Sequence, residues 1–272
     1  MNIFKQFIKS LYSPKDIAPY RFQGIGKTIL YVFFLTLLSI IPSSVYFSTA
    51  LINGMGAIQD SVKTELPSFI IENGEMQSDI DVPKIINKDD FTIIFDSTGT
   101  VNQKELSNSN NTIALLKNDA YFVAGGQVQS FSYSMINDAV LTNDDIESVL
   151  ATFDSLLAII IPLIVLVIYI FAAGLKFIEI SFLALVGLLL KKLLEVDIQY
   201  RHTWRLAAYS VTLPTIFFTV MDSLKTLVPN GAILNWFVAF IILFLVIKEI
   251  PRPEKKIKRA ICAFFLFIFS FI

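Results

Sequence analysis

Hydrophobic and polar positions alternate along this chain in blocks rather than residues. From Thr28 to Ser48 there are 21 residues without a charge, about the length of helix needed to cross a hydrocarbon core of roughly 30 Å. Ahead of it, Phe4, Phe7, Ile8 and Leu11 repeat at i, i+3, i+4 and i+7. That spacing predicts a short amphipathic helix lying in the membrane interface and ended by Ser13-Pro14. Residues 51–150 are polar, with short alternating runs such as Phe91–Phe95 and Gln127–Tyr133 that predict strands. Turns are expected at Ser97-Thr98-Gly99, Lys117-Asn118-Asp119 and Gly125-Gly126, with hairpins as the natural packing. Four further apolar stretches follow at Phe153–Ala173, Leu175–Leu190, Leu206–Met221 and Thr226–Ile247, and the apolar patch Ile261–Ile272 is too short to span.

The expected fold is therefore an α-helical integral membrane protein with about five membrane-embedded helices. A small β-rich extracytoplasmic domain is inserted between helices 1 and 2. Residues 1–27 form a basic cytoplasmic leader, 28–50 the first transmembrane helix, 51–150 the outer domain, 151–250 the bundle of helices 2–5, and 251–272 a basic segment with a short apolar tail. A cleaved signal peptide at Ser48-Thr49-Ala50 competes with the first span, but the apolar run exceeds the usual 7 to 15 residues of a signal core.

Composition supports the membrane assignment: 54% of 272 residues are hydrophobic, 17% are charged and the mean hydropathy is +0.64. The net charge of −1 conceals a division. Residues 51–150 hold 15 Asp/Glu against 5 Lys/Arg, while the rest of the chain carries 17 basic and 8 acidic groups. Cytoplasmic flanks are enriched in Lys and Arg, so Lys5, Lys9, Lys15, Arg21 and Lys27 place the N-terminus inside and the acidic block outside. Five simple crossings would then put both the Lys191–Arg205 stretch and the Lys248–Arg259 stretch outside, against their charge. Four crossings, with Leu175–Leu190 re-entrant or in-plane, would satisfy all three basic segments.

One Cys, Cys262, and one His, His202, exclude an internal disulfide, a Cys-cluster metal site and every two-His motif. Asp96-Ser97-Thr98-Gly99-Thr100 lacks the Lys of a phosphorylated DKTGT loop and has its Gly one place late for an aspartic protease, so a β-turn is the better reading. Gly24-Ile25-Gly26-Lys27 lacks the spacing of a phosphate-binding loop. No catalytic residue, cofactor or metal site is expected. The candidate functional polar residues are the pairs Lys176/Glu179 and Asp222/Lys225 at i, i+3, with Arg201, His202 and Arg205 in an aromatic and basic interface stretch. Asp154 near an outer edge is a further ionisable suspect. Anchoring at segment ends competes with function for all of these. Pro42, Pro162 and Pro214 fall inside apolar stretches and predict kinks.

Taken in order, Tyr12–Lys15, Arg21–Thr28, Phe95–Gly99 and Gly126–Ser134 resemble a family of Gram-positive bacterial integral membrane proteins of unknown function, several labelled maltodextrin-utilisation proteins. The resemblance covers nearly the whole chain and implies no catalytic residues. More distantly, Arg205–Ser210 leading to Pro214 is similar to the start of the fourth helix in Yip-type five-span membrane proteins. The expected function is that of a non-enzymatic membrane accessory or scaffold protein whose outer domain binds a partner. The resemblance adds a context of carbohydrate uptake. The alternative is a transporter or permease subunit with the charged pairs lining a path. Expected partners are the lipid bilayer and a membrane or cell-surface protein, such as a sugar uptake system, with no nucleic acid. The expected location is the bacterial plasma membrane, multi-pass.

Overall fold

The computed structural model describes residues 2–88, 91–102, 106, 111–136 and 140–251. The basic cluster Lys255–Arg259, Cys262 and the apolar tail lie outside them. The chain divides into two compact units, Met1–Val45 with Val165–Ile272, and Tyr46–Ile164.

The helical unit begins with α1 (Ile3–Tyr12), as the apolar repeat predicts. Ser13 then caps α2 (Pro14–Ile17), its hydroxyl accepting from the Asp16 amide at 3.3 Å, with Pro14 at the first position where its missing N–H costs nothing. A 3-10 turn, Ala18–Phe22, leads into α3 (Ile25–Thr64). The leader does not bury the whole stripe that the sequence pattern picks out. Phe4 and Ile8 are 60% and 55% exposed, whereas Gln6 and Ser10 are 1% and 2% exposed. The helix turns Gln6 and Ser10 inward beside the partly buried Ile3 and Phe7, and Phe4 and Ile8 outward, the arrangement expected where the surrounding solvent is lipid.

Past the strands come α4 (Asn143–Leu193), α5 (Tyr200–Ser210), α6 (Thr212–Ser223) and α7 (Gly231–Lys248). Among the described residues, three helices are long and apolar enough to cross a membrane: α3, α4 and α7. The five apolar stretches of the sequence map onto these unevenly. Phe153–Ala173 and Leu175–Leu190 form one helix, because the only residue between them, Gly174, weakens a helix by about 1 kcal/mol and does not stop it. Leu206–Met221 instead breaks at Val211 into α5 and α6, of 11 and 12 residues, each too short to span alone. The break is held by hydrogen bonds: Thr212 Oγ1 donates to the Tyr209 carbonyl at 2.7 Å and accepts from Tyr31 Oη at 2.6 Å. Pro214 accordingly falls in the first turn of a new helix rather than kinking an old one, while Pro42 and Pro162 lie inside continuous helices.

Side-chain pairings fix the directions. Glu179 meets Asn235, Phe182 meets Trp236 and Gly187 meets Leu243, so α7 runs parallel to the C-terminal part of α4. Lys176 meets Thr215 and Ser181 meets Trp204, so α5 and α6 run antiparallel to it. The basic flanks converge as a result: Arg205 donates to the Arg21 carbonyl at 2.7 Å, Lys191 donates to the Ile198 carbonyl at 2.8 Å just before α5, and α2 packs against α7.

In the second unit, β1 (Phe69–Glu72), β2 (Glu75–Ser78) and β8 (Leu141–Thr142) form an antiparallel sheet of order β2-β1-β8. A five-stranded sheet of order β3-β4-β5-β6-β7 contains β3 (Lys84–Asn87), β4 (Thr92–Asp96), β5 (Thr112–Leu116), β6 (Asp119–Ala124) and β7 (Gln127–Ser132). Gly125 and Gly126 both have positive φ between the paired residues Ala124 and Gln127, the primed two-residue turn that suits strand twist. The turn at Ser97–Gly99 is not a hairpin. β4 and β5 are parallel, which requires a crossover rather than a tight reversal, and Leu106 from that crossover is buried with Ala114, Leu116 and Val123. Phe69, Ile71, Met76, Phe95 and Tyr133 form the second core of this unit.

Candidate functional site: a polar pocket among apolar helices

Lys176 and Glu179 sit one helical turn apart on α4, with Nζ and Oε2 2.7 Å apart and side chains 15% and 13% exposed. Two other helices complete them. Lys176 Nζ donates to Thr215 Oγ1 on α6 at 3.1 Å, and Asn235 Nδ2 on α7 donates to Glu179 Oε1 at 2.7 Å. Removing a charge pair from water is costly unless the remaining lone pairs and protons are also met, and here each member has a second partner. The network ties α4, α6 and α7 together and forms the floor of a cavity of about 600 Å³. Ser39, Thr219, Phe218 and Trp236 line its walls, and Asp222 and Thr226, both exposed, stand at its mouth.

Of the residues singled out in the sequence, Lys176, Glu179 and Asp222 therefore share one pocket. Lys225 does not line it. Its φ of 52° places it in the left-handed position just past α6, where its amide donates to the Asp222 carbonyl at 3.0 Å. Arg201, His202 and Arg205 belong to a different place, the N-terminal end of α5 against the leader. His202 Nδ1 accepts from the Gln199 amide at 3.4 Å, reciprocating the Gln199 side chain as a cap, and its ring meets the edge of Phe22 at 5.8 Å. Arg21 lies over the same Phe22 ring at 4.3 Å. Burial and the surrounding Arg201, Arg205 and Arg21 hold the His202 pKa below its ordinary 6.5, with Asp197 opposing weakly.

Above this cluster lies a polar network absent from the sequence reading. Gln6 donates to Gln23, Gln23 donates to Tyr209 Oη at 2.6 Å, and Tyr209 donates back to Gln6 at 3.3 Å, closing a ring of three. Tyr20 and Tyr31 pack on the Tyr209 ring at 4.7 and 4.3 Å. Burial, with smaller contributions from Asp16, Tyr209 and Tyr12, pushes the Tyr20 pKa up to about 12, so its hydroxyl stays protonated. Ser39, Thr215, Thr219 and Asn235 were also missed. A signal existed for one of them: Asn235 is the only amide in an otherwise uncharged α7 until Lys248, and a polar group in such a run needs a partner.

Asp96, the acid of the Asp-Ser-Thr-Gly-Thr stretch, is fully buried and accepts from the amides of Thr98, Gly99 and Val101 and from the hydroxyls of Thr98 and Thr100. Its carboxylate is committed to holding a turn. Burial alone would raise its pKa, but these donors outweigh it and the pKa is lowered.

Long apolar helices, a polar pocket between them and a separate strand-bearing unit define a mostly helical protein with candidate membrane spans. The family model of the protein of unknown function DUF1189 matches residues 4–247, and the chain belongs to that family. No curated protein and no solved structure matches it.

Proposed function

We propose that the protein is a non-enzymatic, multi-pass accessory or scaffold protein of the bacterial plasma membrane, with its N-terminus cytoplasmic and its strand-bearing unit outside. The observation that carries this reading is the mounting of the strands within their own unit. The chain leaves α3 and rejoins α4 through a clamp: Asn143 accepts from the Phe69 amide at 2.8 Å and donates to the Pro67 carbonyl at 3.1 Å, while β8 pairs with β1. Below it, Gln59 on α3 donates to the Leu150 carbonyl on α4 at 3.0 Å and Lys63 faces Glu147 at 3.9 Å. At the start of α4, Asp145 Oδ2 accepts from both the amide and the hydroxyl of Thr142, at 2.9 and 2.7 Å. Such a domain is held stiffly on two helices, as a scaffold that presents a binding surface to a partner requires.

The sidedness rests on the convergence of the leader, Lys191 to Arg205 and Lys248 at one end of the helical unit, which the bias of Lys and Arg assigns to the cytoplasm. α3, α4 and α7 then cross, α5 and α6 together make the return between α4 and α7, and five embedded helices give four crossings. Maltodextrin uptake is the proposed context. On a Cys262→Ser background, single cysteines at Ser78 and Ser223 label in intact cells with an impermeant maleimide, and one at Gln199 does not. Loss of the protein slows maltodextrin uptake without abolishing it, and the protein alone in liposomes carries no sugar. Unchanged uptake would remove the accessory role.

A second reading, a transporter subunit, is favoured by the pocket, in which Lys176, Glu179 and Asp222 face one space. It requires flux in liposomes that disappears with Glu179→Gln or Asp222→Asn.

A further inference from the structure

The pocket has a hydrogen-bonding polarity that its composition conceals. Ser39 donates its hydroxyl proton to the Thr36 carbonyl at 2.8 Å, Thr219 donates to the Thr215 carbonyl at 2.8 Å, and Thr226 donates to the Leu224 carbonyl at 3.3 Å. All three hydroxyls therefore offer lone pairs, not protons, to anything inside. Two carboxylates, Glu179 and Asp222, also accept. Against these stand few donors. Lys176 has two of its three N–H groups directed at Glu179 and Thr215, Asn235 has one directed at Glu179, and the Trp236 indole N–H and the Thr215 hydroxyl complete the side-chain donors of the lining. Charge follows the same pattern: Lys176 balances Glu179 at the floor and leaves the carboxylate of Asp222 at the mouth in excess. The walls add the aromatic side chains of Phe218 and Trp236, and Leu227 and Val228 supply apolar surface.

An acceptor-rich, net-negative pocket with aromatic and aliphatic walls matches one kind of ligand group. We infer that this cavity binds a primary ammonium group carried on an amphiphile. Its three N–H groups meet Asp222, Thr219 and Ser39, its charge offsets Asp222, and its carbon chain lies on Leu227, Val228 and Trp236. Anionic groups are disfavoured there, since Lys176, the one cation among the lining residues, is already paired with Glu179 and the second carboxylate, Asp222, stands at the mouth. The inference does not depend on the accessory role proposed above, because it concerns what the helical unit holds and not what the strand unit contacts.

The test uses the full-length protein. Native mass spectrometry reads which lipid stays bound after extraction from vesicles of phosphatidylglycerol mixed with either phosphatidylethanolamine or phosphatidylcholine, and calorimetry reads binding of free ethylammonium in detergent. Phosphatidylethanolamine is retained over both other lipids, and Asp222→Asn and Thr219→Val each lower retention about tenfold. Lys225→Gln, whose side chain is outside the pocket, retains it. Binding of ethylammonium as well as the lipid means that the ammonium is recognised by itself. Binding of the lipid alone identifies the bilayer as the source, and binding of ethylammonium alone identifies a soluble amine.

Equal retention of phosphatidylcholine, which has the charge but no N–H, overturns the inference, as does equal retention of phosphatidylglycerol. Binding of neither lipid nor amine overturns it too, as does binding indifferent to both pocket substitutions. Thr219→Val preserves shape and keeps the test interpretable should Asp222→Asn disturb folding. Failure of the unmodified protein to bind lipid or ammonium, with uptake still slowed when the protein is lost, counts against the pocket and leaves the accessory role standing; binding by the unmodified protein with uptake unchanged on its loss does the opposite.

Discussion

Buried polar groups are satisfied in opposite ways in the two units. In the strand unit Asp96 is met by donors that all lie within five residues of it. In the helical unit the partners are far apart in sequence: Glu179 and Asn235 by 56 positions, Gln23 and Tyr209 by 186, Gln6 and Tyr209 by 203. Where water surrounds the chain, a turn can afford to solve its hydrogen bonding locally. A helix has already spent its backbone groups on itself, so a polar side chain on it must look to another helix. The strand unit is then locally specified, and the helical unit is specified by assembly.

That contrast is broken most directly at Lys176 and Glu179. Glu179→Ala leaves a poorly exposed ammonium and the Asn235 amide without their acceptor and should lower stability in detergent by about 3–5 kcal/mol. Replacing both with Met removes the charges together and should recover most of that loss, because the pair's role is mutual. Thermal unfolding of the two variants side by side decides the matter. Failure of the double replacement to recover would mean that the pair is required for a ligand or for packing that Met cannot supply.

Asp96→Ala is the matching experiment in the other unit, and no apolar compensation is available there. Three amides lose their acceptor inside the fold, a loss of roughly 3 kcal/mol, and hydrogen exchange should rise at 97–101 while α4 to α7 stay protected. The pH dependence follows the lowered carboxyl pKa. Stability from this group is fully present above the unfolded value of 3.8 and is lost as the pH falls through the lower folded value. Protection of those amides that is already gone at pH 5 would contradict it.

How much of this could be read from the chain follows the same division. Strands at Thr92–Asp96 and Gln127–Ser132, the Gly125-Gly126 reversal and the turn-forming role of Asp96 were all visible, since each is a matter of adjacent residues. Asn73-Gly74, both with positive φ between β1 and β2, was equally visible as a hairpin signal and was passed over. The parallel pairing of β4 with β5 was not legible, because nothing local distinguishes a crossover from a hairpin start. In the helical unit, the charged pair on α4 could be named, but its partners Thr215 and Asn235 could not, and the fusion of two apolar stretches was hidden by the short interval between them. The inward-facing Gln6 and Ser10 were hidden for a physical reason. An amphipathic pattern says which residues share a face and not which solvent that face meets.

Tyr209→Phe sharpens the contrast at a smaller scale. The hydroxyl links Gln6 and Gln23, so its loss opens the three-membered ring without creating a large void. The cost should be about 1–2 kcal/mol. Exchange should rise in α1 and α2 more than in α5 itself, since it is the leader that is held by long-range bonds. An effect confined to α5 would show that the leader is held by Ile17, Phe7 and Ala18 packing and that the ring is incidental.

The smallest effect expected is at His202, and it tests whether charge can loosen an assembly that polar bonding holds. Its pKa is lowered by burial and by three arginines, so at neutral pH the ring is uncharged in both folded and unfolded chains and contributes nothing. Below 6.5 the unfolded chain binds a proton more readily than the folded one, and stability falls with pH until the lower folded value is passed. Because Gln199 donates to the same Nδ1 that would be protonated, the folded chain keeps its cap at the start of α5 only while the ring is neutral, and loses it as the pH falls through the folded value. Leader protection in hydrogen exchange should therefore decline modestly between pH 6.5 and the lower folded value, while the turn around Asp96 is unaffected over the same range. His202→Gln, which cannot titrate, should abolish the decline. If the decline persists in that variant, another group near Arg21 and Arg205 is responsible, and the arginine cluster rather than the histidine sets the pH response of this end of the bundle.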